Sequence, residues 1–179
     1  IIKKNNSIPF VRVGSNDQLQ IKKALDSGAQ GIIVPMVNTV TDAKKAIEST
    51  YYYPIGTRGV GLSAASNFGF SFEKYVKNES KKIQLILQIE NIKGINNLEK
   101  ILELKNITGT LIGPYDLSSS LGVLGKLQHP LVKNAIKKYE KISLKKKISM
   151  GIHMTDPNPS KVKLYHKKKY KLIASGTDM

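Results

Sequence analysis

The stretch IQLILQIENIKGINNLEKILELKNITGTLIGPYDLSSSLG, Ile83 to Gly122, decides the fold. Ile83 to Ile89 is a short Ile- and Leu-rich run that ends at Glu90. Ile95, Leu98, Ile101 and Leu102 then recur at helical spacing, which lays one apolar stripe along a helix. Thr110 to Ile112 is a second apolar run, opening into Gly113, Pro114, Tyr115 and Asp116. The pattern predicts strand, helix, strand. The two strands of such a unit run parallel, so Glu90 and Asp116 emerge at the same edge of the sheet. That edge is where α/β folds carry their chemistry. Two carboxylates on neighbouring strand ends suit a hard divalent cation.

The same alternation extends in both directions. Ile8 to Val13 reads as a strand with Phe10 and Arg12 on one face, and Ser15 to Gln18 resembles a capping box for the helix that follows. Gly31 to Met36 is nearly all apolar, as expected of a strand buried on both faces. Thr39 caps a second helix. Tyr51 to Phe70 has four glycines, one proline and no period, and is expected to be a long ordered loop. Phe72 to Glu79 reads as helical. After Ser118 to Gly122 come a polar turn and a helix from about Pro130. Ile148 to Met154 forms a further strand, Ser160 to Lys169 a helix, and Lys171 to Ser175 a last strand.

Six strands, near residues 8–13, 31–36, 83–89, 107–113, 148–153 and 171–175, are thus separated by helical material, which implies a parallel sheet with right-handed crossovers. Function-bearing residue types follow at least four of them: Arg12, Glu90, Asp116 and His153. An open sheet gathers its ligands at one switch point, whereas a ring brings every strand end to one mouth. The expectation is therefore an incomplete TIM (β/α)8 barrel, a single partial domain over residues 1–179. It has six of eight strands, and its first two βα units and last helix are absent.

Composition narrows the function classes. The chain of 179 residues has no cysteine, which removes disulfides, thiol nucleophiles and Cys-ligated metals. No apolar run approaches the length of a membrane span, and no signal pattern opens the chain, so the cytoplasm is the expected location. The net charge is +16, yet 27 of the 29 basic residues are Lys. Nucleic-acid interfaces favour Arg beside aromatics. A solvated Lys-rich surface is the preferred reading, ahead of nucleic-acid binding. The two arginines, Arg12 and Arg58, become candidates for roles that need a planar fork.

Gln88 and Glu90 lie two apart on a strand and so share a face. A buried carboxylate needs a partner, which makes a nearby cation the expectation for Glu90. The Gly113–Pro114 turn could hold a ligand carboxylate on its backbone N–H groups. Helix and turn capping are the plain alternatives for Glu90 and Asp116, and spacing does not choose between these readings.

The segments FVRVGSNDQLQIKKALDSGAQGIIVPMVNTVTDA, YPIGTRGVG, QIENIKGINNLEKIL and IGPYDLSSSLG resemble the HpcH/HpaI family of class II pyruvate aldolases. The resemblance covers nearly the whole chain and implies a (β/α)8 barrel in a homohexamer. It also implies metal-dependent, reversible cleavage of a 4-hydroxy-2-oxo acid to pyruvate and an aldehyde through a metal-stabilised enolate. The implied cofactor is a divalent ion, Mg2+ or Mn2+, with Co2+ also admissible. Carried over by position, Glu90 and Asp116 are the metal ligands, and Arg12 grips the pyruvate carboxylate and oxygen. Gln88 lines the site, and the turn Gly113, Pro114, Tyr115 receives the ligand carboxylate. The family's general base, a histidine with an acidic partner, is expected upstream of the strand that holds Arg12. Arg58 is expected to order its loop or a subunit contact, and His129, His153 and His166 to be structural or solvated. Two further readings stand beside this one: a citrate-lyase-β or malyl-CoA type lyase, and an inactive basic remnant that binds polyanions.

Overall fold

The structure, a computed structural model, describes residues 7–176. Six strands form one sheet: β1 (Phe10–Arg12), β2 (Gly31–Val34), β3 (Gln84–Ile89), β4 (Gly109–Ile112), β5 (Ser149–Met154) and β6 (Tyr170–Ser175). Their order in the sheet is their order in the chain, and every pair is parallel. Each crossover carries helical segments: α1 (Gln18–Asp26), α2 (Val40–Thr50), a short α3 (Phe72–Lys74), α4 (Ile92–Ile101), α5 (Pro114–Ser120), α6 (Pro130–Lys145) and α7 (Pro159–Lys167). Right-handed crossovers that always step the same way put all helices on one side and curl the sheet toward a ring. The architecture is five consecutive βα units and a sixth strand of a (β/α)8 barrel. No helix among the described residues is long and apolar enough to cross a membrane.

Register separates the two faces. Ile32, Val34, Leu85, Leu87, Ile89, Ile112, Met150 and Ile152 point toward the helices and join Ile21, Leu25, Ala43, Ala46, Ile95, Leu98, Ala135 and Tyr139 in the main core. The opposite face is the barrel interior. There, large residues lie over glycines on the next strand. A Cβ on Gly31 would fall 2.2 Å from the Phe10 ring, one on Gly109 3.2 Å from Ile86 Cδ1, and one on Gly151 2.8 Å from Leu111 Cδ1. Glycine is required at these positions by close approach rather than by backbone angle.

Tyr139 joins the helix layer to the sheet. Its hydroxyl is buried, lies 2.8 Å from Thr110 Oγ1 on β4, and accepts the Gly151 amide of β5 at 3.2 Å. Gly151 sits where the β5–β6 register shifts, so the phenol satisfies an amide beside a ladder irregularity. Burial raises the Tyr139 pKa to about 12, against the counter-effect of these hydrogen bonds.

Several local expectations change. The N-cap of α1 is Asp17 rather than Ser15. Asp17 accepts the Gln20 amide, and Gln20 Oε1 reaches back to the amides of Gly14 and Ser15. Thr39 and Asp42 do form the reciprocal capping box on α2. The helical segment from Phe72 continues as a π turn (Tyr75–Glu79) and a 3-10 turn (Ser80–Lys82). Gly113–Pro114 is not an open turn: Gly113 is the N-cap and Pro114 the first residue of α5, with Asp116 in its first turn. Proline suits that position because the first amide of a helix has no acceptor within the helix.

Candidate active site

Arg12, Gln88 and Glu90 share the inner face at the C-terminal ends of the strands, with Asp116 near enough in the first turn of α5 to act on Glu90, whereas Pro114 and Tyr115 line a cavity between α5, α6 and α7. Arg12 pairs in register with Ile33 on β2, and Ile33 with Ile86 on β3, which places Gln88 and Glu90 further along the face that carries Arg12. Gln88 and Glu90 are both buried, 4% and 5% exposed. Gln88 Nε2 donates to Glu90 Oε2 at 2.5 Å, and the Met36 amide donates to Glu90 Oε1 at 2.9 Å. Each carboxylate oxygen therefore has one fixed donor and retains capacity for another partner.

Burial pushes the Glu90 pKa up. The Met36 hydrogen bond opposes that effect, the Asp116 charge adds to it, and the Arg12 charge and Gln88 hydrogen bond oppose it. Glu90 thus lies within electrostatic reach of both the second carboxylate and the arginine. Glu90 is buried and Asp116 is exposed in the first turn of α5, and the repulsion between the two carboxylates is relieved when a proton or a cation sits between them. Gly113 provides the space. A Cβ there would fall 2.9 Å from Glu90 Oε2 and 3.2 Å from Gln88 Nε2.

A divalent ion fits this donor set. Glu90 and Asp116 offer hard oxygen ligands. Among the described residues no three His, Cys, Asp or Glu side chains cluster with metal-binding geometry. Two protein carboxylates would leave most coordination positions to water or ligand. The Gln88 amide is oriented by its bond to Glu90, which leaves its buried Oε1 without a donor. Of the turn residues, Gly113 spends its amide on Ile89 O at 3.4 Å and Pro114 has none, which leaves the first-turn amides of Tyr115 and Asp116 as donors with no acceptor within the helix.

Other flagged residues lie elsewhere. Arg58 is 4% exposed and pairs with Asp26 Oδ1 at 2.7 Å, donates to Tyr75 Oη at 3.2 Å, and stacks 4.7 Å from the Tyr52 ring centroid. It fastens the glycine-rich loop to α1. His129 caps α6, its Nδ1 accepting the Leu131 amide. His153 is half-buried with Nε2 at 3.3 Å from Gly176 O, and His166 is exposed at the end of α7. Met36 was not anticipated as part of the site. Its backbone is left-handed, φ 55°, which side-chain chemistry does not announce for a methionine.

Comparison with known proteins gives the family and the fold. Residues 2–179 match the family model for HpcH/HpaI aldolase/citrate lyase. The chain is 37% identical over 135 residues to the 5-keto-4-deoxy-D-glucarate aldolase of Escherichia coli O139:H28, covering 75% of this chain and 53% of that protein. It superposes with a TM-score of 0.87 and 30% identity on a HpcH/HpaI aldolase/citrate lyase family protein from Burkholderia cenocepacia J2315, covering 95% of this chain and 67% of that one. A citrate lyase β subunit from Mycobacterium tuberculosis, solved with oxaloacetate and magnesium, shares the fold at TM-score 0.60 and 9% identity, over 94% of this chain and 67% of that one. The fold together with the family match defines a barrel of the aldolase/lyase type. The chain belongs to the HpcH/HpaI aldolase/citrate lyase family. It spans about half the length of the curated relatives it matches.

Proposed function

We propose that this protein contributes the metal- and pyruvate-binding part of a lyase that cleaves a 4-hydroxy-2-oxo acid to pyruvate and an aldehyde. The observation that carries the reading is Glu90: buried, held by two donors, and within reach of both Asp116 and Arg12. Glu90 and Asp116 would hold a divalent ion, Mg2+ or Mn2+. When bound, that ion supplies Lewis-acid stabilisation of charge developing on the 2-oxo group.

The chain's own residues do the remaining work. Arg12 presents a permanently charged fork to the carboxylate and oxygen of the pyruvate half. The Tyr115 and Asp116 amides beyond Gly113 and Pro114 accommodate a carboxylate. Gln88 orients Glu90 through Nε2 and offers Oε1 to a donor on the ligand or its water. Breaking the C3–C4 bond leaves the electron pair on the pyruvate half, and the 4-hydroxyl loses its proton as the aldehyde forms. The base for that proton is not among these residues, and the family resemblance assigns it to a segment before β1.

The name of the Escherichia coli relative makes 5-keto-4-deoxy-D-glucarate the first substrate to assay. A homohexamer, cytoplasmic location and single-domain organisation belong to the same proposal. The test is Mn2+ titration of the metal-free protein together with coupled detection of pyruvate. One Mn2+ site, lost in Glu90→Gln and weakened in Asp116→Asn, is expected. Unchanged Mn2+ affinity in both variants, or pyruvate release that survives complete chelation, overturns the reading.

A further inference from the structure

Met36 contributes no side-chain chemistry to the site, yet its backbone is one of the unusual features beside it. The residue is left-handed at φ 55°, a conformation that L side chains rarely adopt. The residue is 51% exposed, so packing offsets little of the strain. Non-glycine residues held this way persist where their surroundings over-determine them, and they concentrate at functional sites.

The surroundings here do over-determine the turn. Successive amides from residue 36 onward each have a fixed acceptor. Met36 donates to Glu90 Oε1 at 2.9 Å and Val37 to Gln88 O at 3.2 Å. Asn38 and Thr39 both donate to Asp42 Oδ2, at 3.0 and 2.9 Å. Asn97 Nδ2 holds Asn38 O at 2.8 Å, and a Cβ on Gly94 would fall 2.8 Å from Val37 O. The turn is thus pressed between α2, α4 and the end of β3. Only the amide of Met36 is spent on a side-chain carboxylate of the site. That of the next residue closes an ordinary backbone bond.

We infer that the Met36 backbone amide is a positioning group: the strained turn presents it so that Glu90 is fixed from one side by Met36 and from the other by Gln88, in the orientation that captures the cation. This rests on the reading of Glu90 and Asp116 as metal ligands. Donors that orient a ligating carboxylate tune affinity without touching the ion.

The experiment replaces single amides by esters. The α-hydroxy analogue of methionine at position 36 removes the donor and leaves the side chain, and the same change at Val37 removes a backbone bond from the same turn. Mn2+ affinity is read by electron paramagnetic resonance on the metal-free protein, with thermal melting recorded for each variant. The residue-36 ester is expected to weaken Mn2+ binding by about 10–100-fold, and the residue-37 ester by less than about threefold at a similar loss of melting temperature. Met36→Asn keeps the amide and tolerates the left-handed backbone, and is expected to bind Mn2+ more tightly than a β-branched replacement at the same position. Met36→Val keeps the amide but resists that backbone and loses affinity, which tests the idea without chemical synthesis. Parent-like affinity in the residue-36 ester or in Met36→Val overturns the inference, as does an equal loss in the residue-37 ester. Mn2+ binding that survives Glu90→Gln overturns the metal reading itself, and is distinguished by the unmodified turn in that variant.

Discussion

Arg58 and Asp26 form an ion pair at 2.7 Å across 32 positions of sequence, with the guanidinium wholly screened from solvent. Lys22 pairs with the other carboxylate oxygen of Asp26. The arrangement ties the loop after α2 to α1. Removing one partner of such a pair leaves an uncompensated buried charge and costs about 3–5 kcal/mol. Asp26→Asn is therefore expected to lower stability in urea by at least ~2 kcal/mol, allowing for the neutral amide's residual hydrogen bond. Arg58→Lys is expected to be destabilising as well, because a point charge cannot serve Asp26, Tyr75 and the Tyr52 face together. Parent-like midpoints for both variants would contradict this account.

Tyr139→Phe removes the hydroxyl that serves the Gly151 amide and is expected to cost about 1–3 kcal/mol at neutral pH. Its alkaline signature is more specific. The folded pKa is raised to about 12 from 10, so the folded protein holds the phenolic proton more tightly than the unfolded chain. That contribution is present below pH 10 and is lost as pH rises toward 12, amounting to about 2–3 kcal/mol. Parallel stability curves for parent and Tyr139→Phe between those pH values would contradict it.

Gly113→Ala places a Cβ 2.9 Å from Glu90 Oε2. The backbone at Gly113 has φ −106°, which alanine adopts freely, so the strain falls on the carboxylate. The expected result is a folded protein, destabilised by about 1–3 kcal/mol, with weakened Mn2+ binding. Isothermal titration beside circular dichroism measures both. Parent-like Mn2+ affinity would show that the Gly113 space is not needed by the carboxylate.

Glu90→Gln should separate stability from binding. The Glu90 pKa is raised by burial, so its proton is held more tightly in the folded protein. The stability linked to that proton is present below the ordinary carboxylate pKa and is lost as pH rises through the folded value. The metal-free parent is therefore expected to lose more melting temperature than Glu90→Gln between about pH 4 and pH 7. Added Mn2+ should restore the parent and leave the variant unmoved. The prediction fails if the metal-free parent and variant follow the same pH profile.

The strands were legible because burial on both faces leaves short Ile, Leu and Val runs such as Gly31–Val34 and Gln84–Ile89. The shared mouth followed from parallel order alone, and the Gln88/Glu90 pair followed from strand period. Helix α5 was not legible in Gly113–Pro114, because the same dipeptide opens turns and helices, and the choice depends on what packs against Leu117 and Ser118. Asp17 and Ser15 are both competent caps, and the observed choice puts Gln20 within reach of two amides. The partners of Arg58 come from three separate segments, so only assembly reveals them. The Met36 turn had no sequence signature, since its cause is the set of acceptors around it.

The glycine-for-bulk exchange across the inner face, Phe10 over Gly31 and Leu111 over Gly151, has an evolutionary consequence. These interlocked pairs lie on the face that carries the site, and Leu111 stands in register with Gln88, so the packing reaches up to the residue that holds Glu90. A change of size on either side of one of these pairs is therefore felt first in the spacing of the strands, and through Gln88 by the carboxylate it holds. Substitutions among relatives would be expected to accumulate faster in the loops after the strands than at these packed pairs.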